Sequence, residues 1–245
     1  MSDDGPLAGI TVVVTRPADQ TGALGDALES AGATALVVPS LAIEDPLDGG
    51  AALRTAIVRT PFDWVVVTSA NGARALARAV DATGASLPSV AAVGPRTAEH
   101  LEQAGIDVSL VPDTYVAEAL VEAFPVGREA VLVVRPEVAR TVLAEGLRGK
   151  GHGVTEVIAY RTAPALIDDR QAAAARRADV VTFTSPLAMR AYVDQVGLPD
   201  QQLVVSIGPV TSSALEELGI TEVVEAQPHT IEGMVAALVD DRGRR

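Results

Sequence analysis

The chain has no cysteine among its 245 residues. Disulfides, thiolate metal sites and cysteine nucleophiles are therefore excluded. Aromatics are almost as scarce, at 3 % of the chain against 48 % hydrophobic residues overall. The core must be built from Ala, Val and Leu, the usual palette of helices packed on a parallel sheet. Positive charge is short too: 19 Lys and Arg against 32 Asp and Glu leave a formal net charge of −13. Such a surface repels nucleic acid and anionic lipid at long range, which argues against DNA, RNA and membrane partners. It also repels a polyanionic small molecule, so a ligand of that kind has to be held by local donors in a cleft. No uninterrupted apolar run approaches the roughly 18 residues of a membrane span, and Met1-Ser2-Asp3-Asp4 is acidic, without the apolar stretch of an export signal. A soluble, cytoplasmic monomer is expected.

Several catalytic signatures are missing as well. No G-x-G-x-x-G follows a strand-like run, and Gly149-Lys150-Gly151-His152-Gly153 lacks the Ser or Thr of a phosphate loop and precedes a strand instead of a helix. No G-x-S-x-G elbow occurs. His100, His152 and His229 are far apart and show no metal spacing, so each reads as a surface or capping residue. The chemistry is expected to run without metal, nucleotide or covalent nucleophile.

What is present is an internal duplication. Val67-Thr68-Ser69 with Arg74-Ala75 returns as Phe183-Thr184-Ser185 with Arg190-Ala191, an offset of 116 from Ser69 to Ser185. Val93-Gly94-Pro95-Arg96-Thr97 returns as Ile207-Gly208-Pro209-Val210-Thr211, an offset of 114 from Thr97 to Thr211. Val14-Thr15-Arg16-Pro17 returns as Val133-Val134-Arg135-Pro136, an offset of 119 from Arg16 to Arg135. The period is far too long for a solenoid and implies two similar halves with a ligand site between them.

Short β-branched runs alternate with Ala/Leu-rich stretches, the signature of βα units and a parallel sheet. Strands are expected at residues 10–15, 34–38, 64–68, 90–93, 108–111, 130–135, 154–157, 180–184, 203–207 and 222–225, five per half. Gly32, Gly105, Gly151 and Gly219 stand where helices should stop. Residues 39–46 and 158–164 break the alternation; both are Pro-bounded and extended in character, and read as paired interdomain connectors. The tail, residues 240–245, is expected to fray.

In a parallel sheet the carboxyl ends of strands and the amino ends of helices share one edge, where ligands bind. Helix N-termini there offer unpaired N–H groups to carboxylates without needing lysine. Thr68, Ser69 and Asn71, and Thr184 and Ser185, lie at such turns. Gly94-Pro95 with Thr97, and Gly208-Pro209 with Thr211, repeat the device. Thr15 and Arg16, Arg135, and His229 and Thr230 occupy equivalent edges. Each has a plainer reading, because Ser and Thr at helix starts are commonly simple N-caps and Gly-Pro commonly a turn. Tyr160, one residue before Arg161 in the second connector, has no tyrosine counterpart in the first. It reads either as a ring packed at a domain boundary or as a phenol placed over a cleft to donate a proton.

Taken in order, residues 66–72, 92–98, 159–162, 182–186, 206–211 and 229–233 resemble the uroporphyrinogen-III synthase family. The likeness runs from about Gly9 to Leu238. The resemblance implies a cofactor-free lyase that closes linear hydroxymethylbilane, inverting ring D through a spiro intermediate to give uroporphyrinogen III. It implies that Tyr160 assists departure of the substrate hydroxyl, and that Ser69, Thr97, Ser185 and Thr211 line the cleft. The fold it implies is α/β, two Rossmann- or flavodoxin-like parallel-sheet domains joined by a two-stranded connector. Duplication alone would split the chain near Pro125. The family pattern instead gives a discontinuous first domain, 1–38 with 164–245, an inserted domain, 45–157, and connectors at 39–44 and 158–163. The rival reading is a two-lobed, non-catalytic protein that captures an anionic metabolite.

Overall fold

The structure is a computed structural model that describes residues 5–16 and 22–244. Ten strands lie among them: β1 (Thr11–Val14), β2 (Thr34–Val37), β3 (Leu41–Glu44), β4 (Trp64–Val67), β5 (Ser89–Ala92), β6 (Ala130–Pro136), β7 (Gly153–Pro164), β8 (Val180–Phe183), β9 (Leu203–Ser206) and β10 (Val223–Glu225). The ten helices described are α1 (Gly22–Ser30), α2 (Ala51–Arg59), α3 (Ala70–Thr83), α4 (Pro95–Gln103), α5 (Ala117–Ala123), α6 (Val142–Gly149), α7 (Asp169–Arg176), α8 (Pro186–Val196), α9 (Pro209–Glu216) and α10 (Ile231–Arg244). By backbone contacts the chain divides into two compact units, Met1–Ala42 with Ala163–Arg245, and Ile43–Thr162.

The first unit carries a five-stranded sheet in the order β2-β1-β8-β9-β10, with every neighbouring pair parallel. Numbered along this unit, the order is 2-1-3-4-5, the flavodoxin-like winding whose strand order reverses between β1 and β8. The pleat sorts its valines between two cores. Val12 and Val14 pack with Leu24, Leu28, Met234 and Leu238 on one face. Val13, Val181 and Phe183 pack with Met189, Tyr192 and Leu215 on the other.

The second unit repeats the design in the sheet order β3-β7-β6-β4-β5. Neighbours β7-β6, β6-β4 and β4-β5 are parallel, and the reversal falls between β6 and β4. Val65, Val67, Leu132 and Val134 face α2, α3 and α4; Val66, Val131 and Val133 face α5 and α6 through Leu120, Phe124, Leu143 and Leu147. The four glycines expected to stop helices all carry positive φ, the backbone region that only a residue without Cβ enters freely.

Three expectations are corrected. Residues 108–111 form no strand but a single bridge, Leu110 to Ala91. The repeat-equivalent stretch in the first unit is β10, where the next residue, Ala226, donates its N–H to the Ser206 carbonyl at 3.0 Å. The residue 114 positions earlier is Pro112, which has no N–H to extend the ladder. The stretches expected as extended connectors are the strand β3, at 41–44, and the end of β7, at 158–164, which lie beside each other in the sheet. Residues 240–244 continue α10, with Arg242 and Arg244 placing positive charge at its negative end. His152 is buried, its Nε2 2.8 Å from the Pro125 carbonyl and Nδ1 3.0 Å from Glu129 Oε2. The acidic Met1–Asp4 stretch, Pro17 and Arg245 lie outside the described residues. Among the described residues no helix is long and apolar enough to cross a membrane.

Candidate functional site

The carboxyl edge of each sheet is assembled by strand ends that run straight into helix starts. Ser69 ends the turn after β4 and caps α3, its Oγ accepting from Gly72 N at 3.1 Å. Ser185 does the same for α8, accepting from Ala188 N at 3.2 Å. In both, a backbone donor of the first turn is satisfied by the cap. Asn71, in that turn of α3, accepts from the Arg74 guanidinium. Thr68 and Thr184 are half-buried at the strand ends, and Thr68 Oγ1 donates across the strand-order reversal to the Val134 carbonyl at 3.3 Å.

Gly94 and Gly208 are the N-caps of α4 and α9, with Pro95 and Pro209 at the first helical positions. Thr97 and Thr211 turn inward and are buried. Thr15 is withdrawn from the edge altogether. It is fully buried, and its Oγ1 donates to the Thr182 carbonyl at 2.8 Å, tying β1 to β8. This corrects its assignment as a ligand-facing donor. Arg16 is half-buried at the end of the described segment. Arg135 stands at the end of β6 with its charge already countered: Nε lies 2.8 Å from Glu156 Oε2, and Nη1 donates to the carbonyls of Pro136 and Glu137. Thr230 caps α10 by accepting from Gly233 N at 3.1 Å.

Tyr160 is a strand residue in β7. Its ring is buried in the core of the second unit, at 8 % exposure. Its hydroxyl lies 3.0 Å from Ser69 Oγ, so the phenol, the serine and the start of α3 form one chain of hydrogen bonds. A phenol and a serine hydroxyl can each donate or accept. This pair can pass a proton toward the edge and share the charge that its loss would leave.

Two features of these edges carried no sequence signal of their own. In the first unit, Ser206 and Ser212 share a 2.7 Å hydrogen bond, Ser212 donates to Glu225, and Glu225 Oε1 lies 3.5 Å from His229 Nε2. In the second, Tyr115 stands exposed beside Gly94. The second could have been found by extending the 114-residue offset beyond Thr97 and Thr211, which aligns Tyr115 with His229 and Glu118 with Glu232. Each of those glutamates opens a helix and has its carboxyl held below the ordinary range, first by its own backbone N–H. Arg140 adds to this at Glu118, and the Thr230 hydroxyl at Glu232. A pocket of about 280 Å³ opens at the second edge, walled by Thr68, Tyr115, Arg135, Arg140 and Glu156 among others. Among the described residues no three His, Asp or Glu side chains come together as a metal-holding group.

Comparison with known proteins places this architecture. The family model of uroporphyrinogen-III synthase HemD matches residues 22–236. The uroporphyrinogen-III synthase of Synechococcus elongatus is 32 % identical, over 95 % of this chain and 96 % of its own length. That of Chlorobaculum parvum is 26 % identical over 91 % of this chain and 94 % of its own. Two solved structures share the fold across nearly the whole of both chains. A uroporphyrinogen III synthase from Thermus thermophilus has a TM-score of 0.59 at 20 % identity, covering 97 % of this chain and 100 % of its own. One from Helicobacter pylori has a TM-score of 0.61 at 16 % identity, covering 96 % and 99 %. From the family match and the cyanobacterial relative, the chain belongs to the uroporphyrinogen-III synthase family, enzymes of tetrapyrrole biosynthesis.

Proposed function

We propose that this chain cyclises hydroxymethylbilane to uroporphyrinogen III as a cofactor-independent lyase. Ring A of the linear substrate loses its hydroxyl to give an azafulvene cation, and ring D attacks through its substituted carbon to form a spiro intermediate. Fragmentation and reclosure then yield the macrocycle with ring D inverted. The observation that carries the reading is the hydrogen bond between Tyr160 and Ser69 in a chain whose family match spans most of its length. Departure of hydroxide needs a proton, and Tyr160 supplies it. Ser69 Oγ–H then donates to the phenolate oxygen, limiting the cost of the charge left behind.

The remaining task is to hold a flexible octacarboxylate in one productive shape, which geometry can accelerate without a cofactor. Backbone N–H groups at the starts of α3, α4, α8 and α9 serve its carboxylates. Thr68, Ser69 and Asn71, and Thr184, Ser185, His229 and Thr230, add side-chain donors, while Gly94-Pro95 and Gly208-Pro209 leave the backbone open to approach and the buried Thr97 and Thr211 brace their helix starts. Arg16 and Arg135 contribute charge at the same strand ends. The test is to supply hydroxymethylbilane and separate the product isomers. Type III product without added metal or nucleotide supports the reading. Type I product alone, at the rate of the protein-free control, removes it in favour of a non-catalytic binding protein.

A further inference from the structure

Of the seven aromatic residues in the chain, Tyr115 alone is exposed, at 61 %; the other six are buried or half-buried. In a chain so poor in aromatics, a ring left in water forgoes the stabilisation its burial would give. Nor is it a stray loop side chain. It lies against Gly94, where an added Cβ would come within 3.2 Å of Tyr115 Cβ and 3.6 Å of Cγ. It walls the 280 Å³ pocket together with Thr68, Arg135 and Arg140.

The first unit has a ring at the equivalent place. His229 follows Tyr115 by 114 residues, the same offset that separates Gly208 from Gly94. An added Cβ on Gly208 would meet the His229 ring at 3.2 Å. At both edges, then, a glycine that begins a helix is covered by a flat side chain with a polar rim. An inherited scaffold accounts for repeated caps, because caps hold the helices. It does not account for a ring that remains exposed in both copies, at 48 % of the His229 side chain.

We infer that Tyr115 contacts the substrate and helps determine product specificity, its ring stacking on one pyrrole of the linear tetrapyrrole in the pocket of the second unit. This rests on the reading under Proposed function. The pocket has room for one substituted pyrrole and not for four. Electron-rich rings pack in offset stacks on tyrosine faces. Arg140 and Arg135 on the same wall meet that ring's acid side chains, although Glu118 and Glu156 already temper their charge. Fixing the face of one ring restricts how the flexible chain is presented for closure, so its loss weakens binding and lets the spontaneous isomer compete.

Tyr115→Ala and Tyr115→Phe are assayed with hydroxymethylbilane beside the wild type, with isomers separated and thermal unfolding recorded for each. Tyr115→Phe keeps the ring and stays within about twofold of wild type. Tyr115→Ala loses about tenfold in kcat/KM, mainly through KM, the size expected of one stacking contact, and releases more type I product at an unchanged Tm. Were Tyr115→Ala to lose its fold, Tyr115→Leu, which keeps apolar cover on Gly94, is read in its place. Wild-type kinetics and isomer ratio in the ring-less variant overturn the inference. So does a Tyr115→Phe enzyme as impaired as Tyr115→Ala, which assigns the effect to the hydroxyl. A wild-type chain that gives only type I product overturns the parent reading instead.

Discussion

Tyr160 and Tyr192 show how one residue type takes opposite roles in two surroundings. Tyr160 has its ring in a core and its hydroxyl on Ser69. If it protonates the leaving hydroxide, Tyr160→Phe lowers kcat by about 10²- to 10⁴-fold, the usual worth of a general acid. Stability changes little, since the ring remains. Steady-state turnover at saturating substrate checks this, and wild-type kcat would leave Tyr160 a packing residue. Tyr192 is fully buried, its hydroxyl without a partner among the described residues and its ring 5.5 Å edge-to-face from Phe183. Burial pushes its pKa from 10.0 up to about 12, opposed weakly by Arg176. Folding favours the neutral phenol, so its contribution is full below pH 10.0 and is lost as pH rises through about 12. Tyr192→Phe removes an unsatisfied buried hydroxyl and is expected to gain about 1 kcal/mol at pH 7. Its stability should also fall less than that of the wild type between pH 7 and 11. Urea unfolding at the two pH values measures both effects.

At the scale of elements, single backbone atoms decide where a strand or helix can pass. The missing N–H of Pro112 leaves one bridge where Ala226 helps complete β10. The start of α10 is set as tightly, because a Cβ on Gly233 would lie 1.9 Å from the Pro228 carbonyl oxygen, a backbone atom that cannot step aside. Gly233→Ala should therefore destabilise the chain by about 2 kcal/mol, in the range of overpacked sites. It should also disturb the turn that carries His229 and Thr230. In α1 the same change is expected to help: no atom of the described residues lies within 4 Å of a Cβ on Gly25, and alanine in a helix interior is favoured by roughly 0.5–1 kcal/mol. Thermal denaturation of the two variants should move in opposite directions, and a shared sign would count against this account of α10.

For the whole molecule, charge sets the terms of capture. A chain of net charge −13 repels a polycarboxylate at long range, so the substrate proposed above would be held by short-range donors. Salt screens the first effect more than the second. Raising salt from low to physiological strength should leave kcat/KM unchanged or slightly higher. A steep fall, measured as a salt series of initial rates, would reveal a basic steering patch.

How much of this was legible in the sequence depended on how far apart the interacting groups lie along the chain. Alternation of strand and helix, the serine caps at positions 69 and 185, and the glycine stops are local: a residue and its neighbours within one turn contain the whole cause. Those the sequence by itself determined, along with the duplication and the family likeness carried by motif order. Strand order was needed for the rest. It brought Thr15 to the Thr182 carbonyl, 167 residues away, and so removed it from the edge; it brought Tyr160 to Ser69, 91 residues away. It enclosed His152 beside Phe124, Pro125 and Glu129, and it laid Tyr115 on Gly94. Each outcome follows from a contact between distant segments, which no local pattern records because burial and hydrogen-bond partners arise only when the sheet closes.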